Sequence, residues 1–180
     1  MGIRGAARGD EAQETIWNKE FIKIFALNAS IGLAQFMLNP LLPKYADDLG
    51  AGPAIVGIVA SLFAATALLI RPIVGPAISA FRMNVLYALA LGSIALAFAI
   101  YGCATSVPVL IAGRLVQGLG MGLIGPLSLA IASDALPEGK LASGIGIYSL
   151  AGAISTAAGP SIGLALSGII GYSATFLAGS

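Results

Sequence analysis

The sequence predicts an all-α polytopic membrane protein with about five complete spans and the start of a sixth. Three observations predict it. Five apolar stretches, at about 24–42, 55–74, 85–103, 109–132 and 141–166, are each near the ~20 residues that a helix rising ~1.5 Å per residue needs to cross a ~30 Å hydrocarbon core. Charged residues make up only 9% of the 180, against ~25% in soluble domains, too few to build a water-facing surface. Glycine occurs 24 times, which suits helices that associate in lipid through close contact of small residues.

The first twenty residues carry Arg4, Arg8 and Lys19 among Asp10, Glu11, Glu14 and Glu20 with no apolar core, so they read as a solvated tail and not as a cleavable signal. In the first span Asn28, Gly32, Gln35 and Asn39 recur at i, i+4, i+7 and i+11, which lays three amides along one face. The fourth span places Arg114, Gln117, Met121 and Ser128 on one face, while Gly118 and Gly122 form a G-x-x-x-G stripe elsewhere. The fifth carries Gly144, Tyr148, Gly152, Ser155, Gly159 and Gly163 at similar spacing, with Pro160 as a kink position. A partial sixth span opens at about 173, and the chain reads as a truncation there. The connections 47–53, 104–108 and 170–172 are short enough to make consecutive spans antiparallel neighbours. Polar faces and small-residue stripes together describe a bundle packed around a wet interior, although each amide taken alone fits an ordinary interhelical hydrogen bond.

Basic residues set the orientation. With a cytoplasmic N-terminus the inner side holds Arg4, Arg8, Lys19, Lys23, Arg71, Arg82 and Lys140, and the outer loops hold only Lys44. The expected location is the cell membrane. Trp17, Tyr45, Tyr87, Tyr101 and Tyr172 fall near span ends, where amphipathic rings anchor at the headgroups. Asp47, Asp48, Asp134 and Glu138 read as solvated loop charges. Histidine is absent and Cys103 is the one cysteine, so no metal set and no nucleophile with a base can be assembled, and neither an enzyme nor a cofactor is expected. The net charge of +1 gives no reason to expect nucleic acid.

At the second-to-third span junction, the run from Arg71 to Asn84 (R-P-I-V-G-P-A-I-S-A-F-R-M-N) resembles the signature loop of the major facilitator superfamily. The run Arg114-Leu-Val-Gln-Gly-Leu-Gly-Met-Gly122 is similar to that family's fourth-span R-x-x-Q-G-x-G motif, and Gly159-Pro160-Ser-Ile-Gly163 to its fifth-span G-P-x-x-G motif of exporters. The P-L-L-P from Pro40 to Pro43 also fits. The resemblance covers nearly the whole chain as the N-terminal half of such a transporter. It implies secondary active, exporter-like transport of small solutes by alternating access. The expected partners are a small-molecule substrate, the lipid bilayer and a missing C-terminal half, without which this half would be inactive. A complete small polytopic protein, acting as a channel or structural component, is the alternative.

The resemblance implies a substrate or coupling role for Arg114. The shared-face spacing groups it with Gln117, Asn28, Gln35 and Asn39, and Tyr148 joins them as a cavity candidate on the fifth span. A charge in a span costs at least ~2.5 kcal/mol, so Arg114 should face water, an anion or carbonyls, unless its stem snorkels to the interface. Gly75, Ser79 and Arg82 fall in the expected gating loop, and Gly118, Gly122, Gly152, Gly159, Pro160 and Gly163 at packing or kink positions. The loop departs from the family pattern G-x-x-x-D-R-x-G-R-R: Ser79 and Ala80 stand where Asp and Arg are expected, and Arg82 replaces a glycine. No span holds a carboxylate. Arg stays protonated, so a proton acceptor is not supplied by these spans, and uniport or an ion handled elsewhere are the other couplings.

Overall fold

The computed structural model describes residues 15–179. Arg4, Arg8, Asp10, Glu11, Glu14 and Ser180 lie outside them. Five long helices follow one another: α1 (Lys19–Asp48), α2 (Pro53–Ala80), α3 (Met83–Gly102), α4 (Val107–Asp134) and α5 (Leu141–Ala178), with one 3-10 turn (Glu138–Lys140) before α5. All five are long and apolar enough to cross a membrane. Lys19, Ala80, Met83, Asp134 and Leu141 mark one end of the bundle, and Asp48, Pro53, Gly102 and Val107 the other.

Local chemistry fixes the ends. Asn18 caps α1, its side-chain oxygen accepting from Phe21 N at 2.8 Å, and its amide nitrogen donates to Ala135 O just past α4. Pro53 opens α2 and Pro108 lies in the first turn of α4, where a missing N–H costs nothing. At the opposite end Tyr45 donates its hydroxyl hydrogen to Ala104 O at 2.6 Å.

The helices outrun the apolar stretches. α2 continues through Ser79 to Ala80, so Gly75 and Ser79 are helical residues and not parts of a loop; the Ser79 hydroxyl points back toward Gly75 O at 3.4 Å. Only Phe81 and Arg82 connect α2 to α3. Arg71 likewise sits inside α2, nine residues before its end. Asp47, Asp48 and Asp134 are terminal helical residues, though exposed as expected. α5 is two helical segments separated by a kink at Gly171, whose φ of 80° and ψ of 169° only glycine adopts freely. The break falls where the 170–172 turn is predicted. Beyond it Tyr172 and Phe176 fold back onto Tyr45, with ring centroids at 5.0 and 5.8 Å, and Phe176 also meets Tyr101 at 5.9 Å.

Glycine decides which helices touch. α4 is held on two sides: a Cβ at Gly118 or Gly122 would strike α2 at Phe63 O (2.7 Å) or Ala67 O (2.9 Å), and one at Gly120 would strike α3 at Ala90 O (2.7 Å). α1 and α5 form the other tight pair. There a Cβ at Gly159 would lie 2.6 Å from Phe36 Cβ, one at Gly163 would collide with Met37 O, and Gly32 faces Ser155 Oγ. Gly152 is different from the packing position its spacing suggests, since a Cβ there would meet nothing within 4 Å. The most exposed helix is α2, with Leu68, Leu69 and Ile73 well exposed.

Candidate functional site

Between the α1/α5 pair and the α2/α3/α4 group lies a chain of polar side chains centred on Gln117. Its Oε1 accepts from Tyr101 Oη (2.7 Å) and from Arg114 Nη1 (3.1 Å), while its Nε2 donates to Gln35 Oε1 at 2.6 Å. Gln35 Nε2 in turn donates to Asn39 Oδ1 at 3.1 Å. Three helices are thereby linked, and each donor polarises the next, which strengthens such a chain in a low-dielectric interior. The spacing of Gln35 and Asn39 on α1 and of Arg114 and Gln117 on α4 is what brings these groups face to face.

The network is sealed except at Asn39, which is half-buried. Arg114 is 1% exposed, Gln117 0% and Gln35 4%. Four of the six side chains predicted to line a water-filled cavity, Arg114, Gln117, Gln35 and Asn39, are thus packed on one another in this conformation, and Arg114 neither faces lipid nor snorkels to the end of its helix. The Arg114 guanidinium lies over the Phe63 ring, Cζ at 5.0 Å from the centroid, where the ring's negative face takes up part of the charge. Its Nε has no partner among the described residues. Glu20, Asp47, Asp48 and Asp134 are exposed at helix ends, so none is placed to neutralise it. A buried guanidinium without a counter-ion is expensive, and its presence calls for a compensating function.

The remaining candidates scatter. Asn28, seven residues before Gln35, is half-buried and outside the network. Tyr148 is buried in a second cluster with Tyr87 and Ser128, eleven residues beyond Gln117 on α4 and so ~16 Å farther along the axis. Tyr101 was missed as a site residue. Reading it as an interface anchor, like Tyr87, is corrected by burial: both rings point inward, Tyr101 at 0% exposure. The available signal was Gly113, whose bare backbone leaves room for the Tyr101 ring against α4. Among the described residues no group of His, Cys, Asp and Glu could hold a metal ion.

A family model described as Major Facilitator Superfamily matches residues 24–180. The chain is 30% identical over 147 residues to the staphylopine export protein of Staphylococcus aureus, covering 81% of this chain and 36% of that protein. It is 30% identical over 150 residues to a chloramphenicol resistance protein of Streptomyces lividans, covering 83% and 38% respectively. It is 31% identical over 127 residues to the MFS-type transporter ucsD of an Acremonium species, covering 71% and 22%. The chain therefore spans between about a fifth and two-fifths of these relatives' lengths. With five membrane-spanning helices, a charged and amide-rich fourth span, and a family match over nearly its whole length, the chain belongs to the Major Facilitator Superfamily.

Proposed function

We propose that this chain is the N-terminal bundle of a secondary active exporter that moves a small solute across the cell membrane by alternating access. The observation that carries the reading is the buried Arg114, hydrogen-bonded through Gln117 to Gln35 on another helix and left with an unsatisfied Nε. A network of few bonds between two glycine-packed groups of helices can open and close at small cost, since interhelical hydrogen bonds in membranes average ~0.6 kcal/mol. Opening it frees guanidinium and amide donors for a solute or a coupling group. The relatives named for export and for drug resistance support an outward direction. The basic residues Lys19, Lys23, Arg82 and Lys140 at one end of the bundle support a cytoplasmic N-terminus.

Alternating access needs two bundles rocking about a central site. This bundle offers one wall of it, so its expected partner is a C-terminal half. Reconstituted alone in liposomes, the chain should give no saturable uptake of chloramphenicol or other relatives' solutes, and co-expression with a C-terminal half should restore it. Arg114→Ala should then abolish transport while the protein still inserts in the membrane. Normal transport by that variant would favour a purely structural network; saturable transport by the chain alone would refute the need for a partner.

A further inference from the structure

Beside the polar network runs a groove between α2 and α4. It has a volume of about 350 Å³ and is lined by Phe63, Ala64, Ala67, Leu68, Arg71 and Met121. That size falls in the ~300–1,000 Å³ range of small-ligand clefts. Phe63, Ala67 and Arg71 follow one another at i, i+4 and i+8 on α2, and Met121 continues the α4 face that carries Arg114 and Gln117. The groove thus shares the Phe63 ring with Arg114: the guanidinium lies over that ring, and the groove runs from the ring toward Arg71.

The charge in this region has one sign. Arg71 is exposed, sits inside α2 rather than at its end, and has no ion-pair partner among the described residues. Arg114 is buried with an unpartnered Nε. Phe63 and Arg71 are eight residues apart, so the two cationic positions are separated by ~12 Å along α2. Between them the lining is apolar, with a flexible methionine that adapts to varied shapes. No aspartate or glutamate lies in the middle of any described helix.

Resting on the transport reading, the geometry points to a substrate class: an amphipathic anion, with an aromatic or aliphatic body seated against Phe63, Ala67 and Met121 and a carboxylate, sulfonate or phosphate held by Arg71. An organic cation of the same shape is repelled by Arg71 in the groove and by Arg114 against the Phe63 ring, because two guanidiniums with no carboxylate nearby raise the cost of positive charge there. An anion gains a bidentate partner in Arg71 that a neutral solute does not.

The test uses two probes with the same ring and opposite fixed charge, 1-naphthalenesulfonate and 1-naphthylmethyl-trimethylammonium. Their binding to the chain in lipid nanodiscs is measured by calorimetry, with empty nanodiscs as the blank. The sulfonate should bind at least tenfold more tightly. Arg71→Gln should reduce sulfonate affinity severalfold without changing that of the ammonium, Arg71→Lys should retain most of the preference, and Arg71→Glu should invert it. Circular dichroism confirms that each variant keeps its helices. Equal binding of the two probes, binding of neither, or a preference unaffected by Arg71→Gln overturns the assignment. These are binding measurements, so their failure leaves the transport reading standing, and a failure of reconstituted transport leaves the charge preference standing.

Discussion

Replacing Gln117 with leucine keeps the volume of the side chain and removes the centre of the polar network. Three hydrogen bonds are lost, at 2.7, 3.1 and 2.6 Å. The Arg114 bond spans three residues on one helix and persists in an inserted but unpacked α4, so it adds little to tertiary stability. The Tyr101 and Gln35 bonds cross between helices, and at ~0.6 to 1.7 kcal/mol each they account for ~1 to 3.5 kcal/mol. The Tyr101 hydroxyl and the Gln35 carbonyl, in side chains that are 0% and 4% exposed, are then left without that partner, which holds the cost near the upper end. Unfolding in mixed micelles, titrated with SDS and followed by circular dichroism, should show a loss of ~2 to 3 kcal/mol. Gln35→Leu alone should cost less, since Tyr101 and Arg114 keep Gln117, and the double variant should cost less than the sum of the two. A loss under ~0.5 kcal/mol, or strict additivity, would refute the claim that this network joins the two groups of helices.

Gly163→Leu should separate α1 from α5 and destabilise the bundle by more than ~2 kcal/mol in the same titration, because Met37 backbone occupies the space of any Cβ. Gly152→Ala, where a Cβ meets nothing, should be neutral or stabilising by up to ~1 kcal/mol, and a clear loss would show a neighbour at that face. In a Cys103→Ala background, cysteines at Asp48 and Asp134 should label from opposite sides of the membrane; same-side labelling sinks the topology. In a protein continued by its C-terminal half, Ser79→Asp should favour the outward-open state by at most ~1 to 2 kcal/mol, read from cytoplasmic accessibility of a reporter. No shift would place the inward lock on other groups.

The spans were legible because hydrocarbon imposes one rule on every helix that crosses it, and length with composition reports that rule directly. Helix ends were not, because α2 runs on through polar Ser79 once its backbone bonds are satisfied within the helix, and an apolar stretch marks only the part that lipid demands. On the site, periodicity alone paired Gln35 with Asn39 and Arg114 with Gln117, and the two pairs do meet. Asn28 shares their face but not their network, since a face continues along a helix beyond the reach of any one partner. Tyr101 and Gly120 escaped because contacts between helices depend on rotations that no single helix encodes. Gly118 and Gly122 marked a face of α4 for close packing without naming α2 as the helix that fills it, and nothing in that stripe reveals a second approach on the far side, by α3.

The order of the partners along the chain has a consequence for biogenesis. α4 is the helix least suited to enter lipid alone, since Arg114, eight residues into the helix, adds up to ~2.5 to 3.5 kcal/mol to its insertion, the cost of a charge at the centre of a span. The groups on other helices that meet Arg114 or Gln117, namely Phe63, Gln35 and Tyr101, all precede α4 in sequence. When α4 leaves the ribosome, the helices that bear these groups have already been made, so Arg114 can meet the Phe63 ring, and Gln117 the Gln35 amide, as α4 enters the bilayer. Moving the α4 segment ahead of α1 in a permuted chain would keep every contact of the finished bundle and make α4 before those partners, so the defect of such a chain would be one of insertion yield and not of final stability.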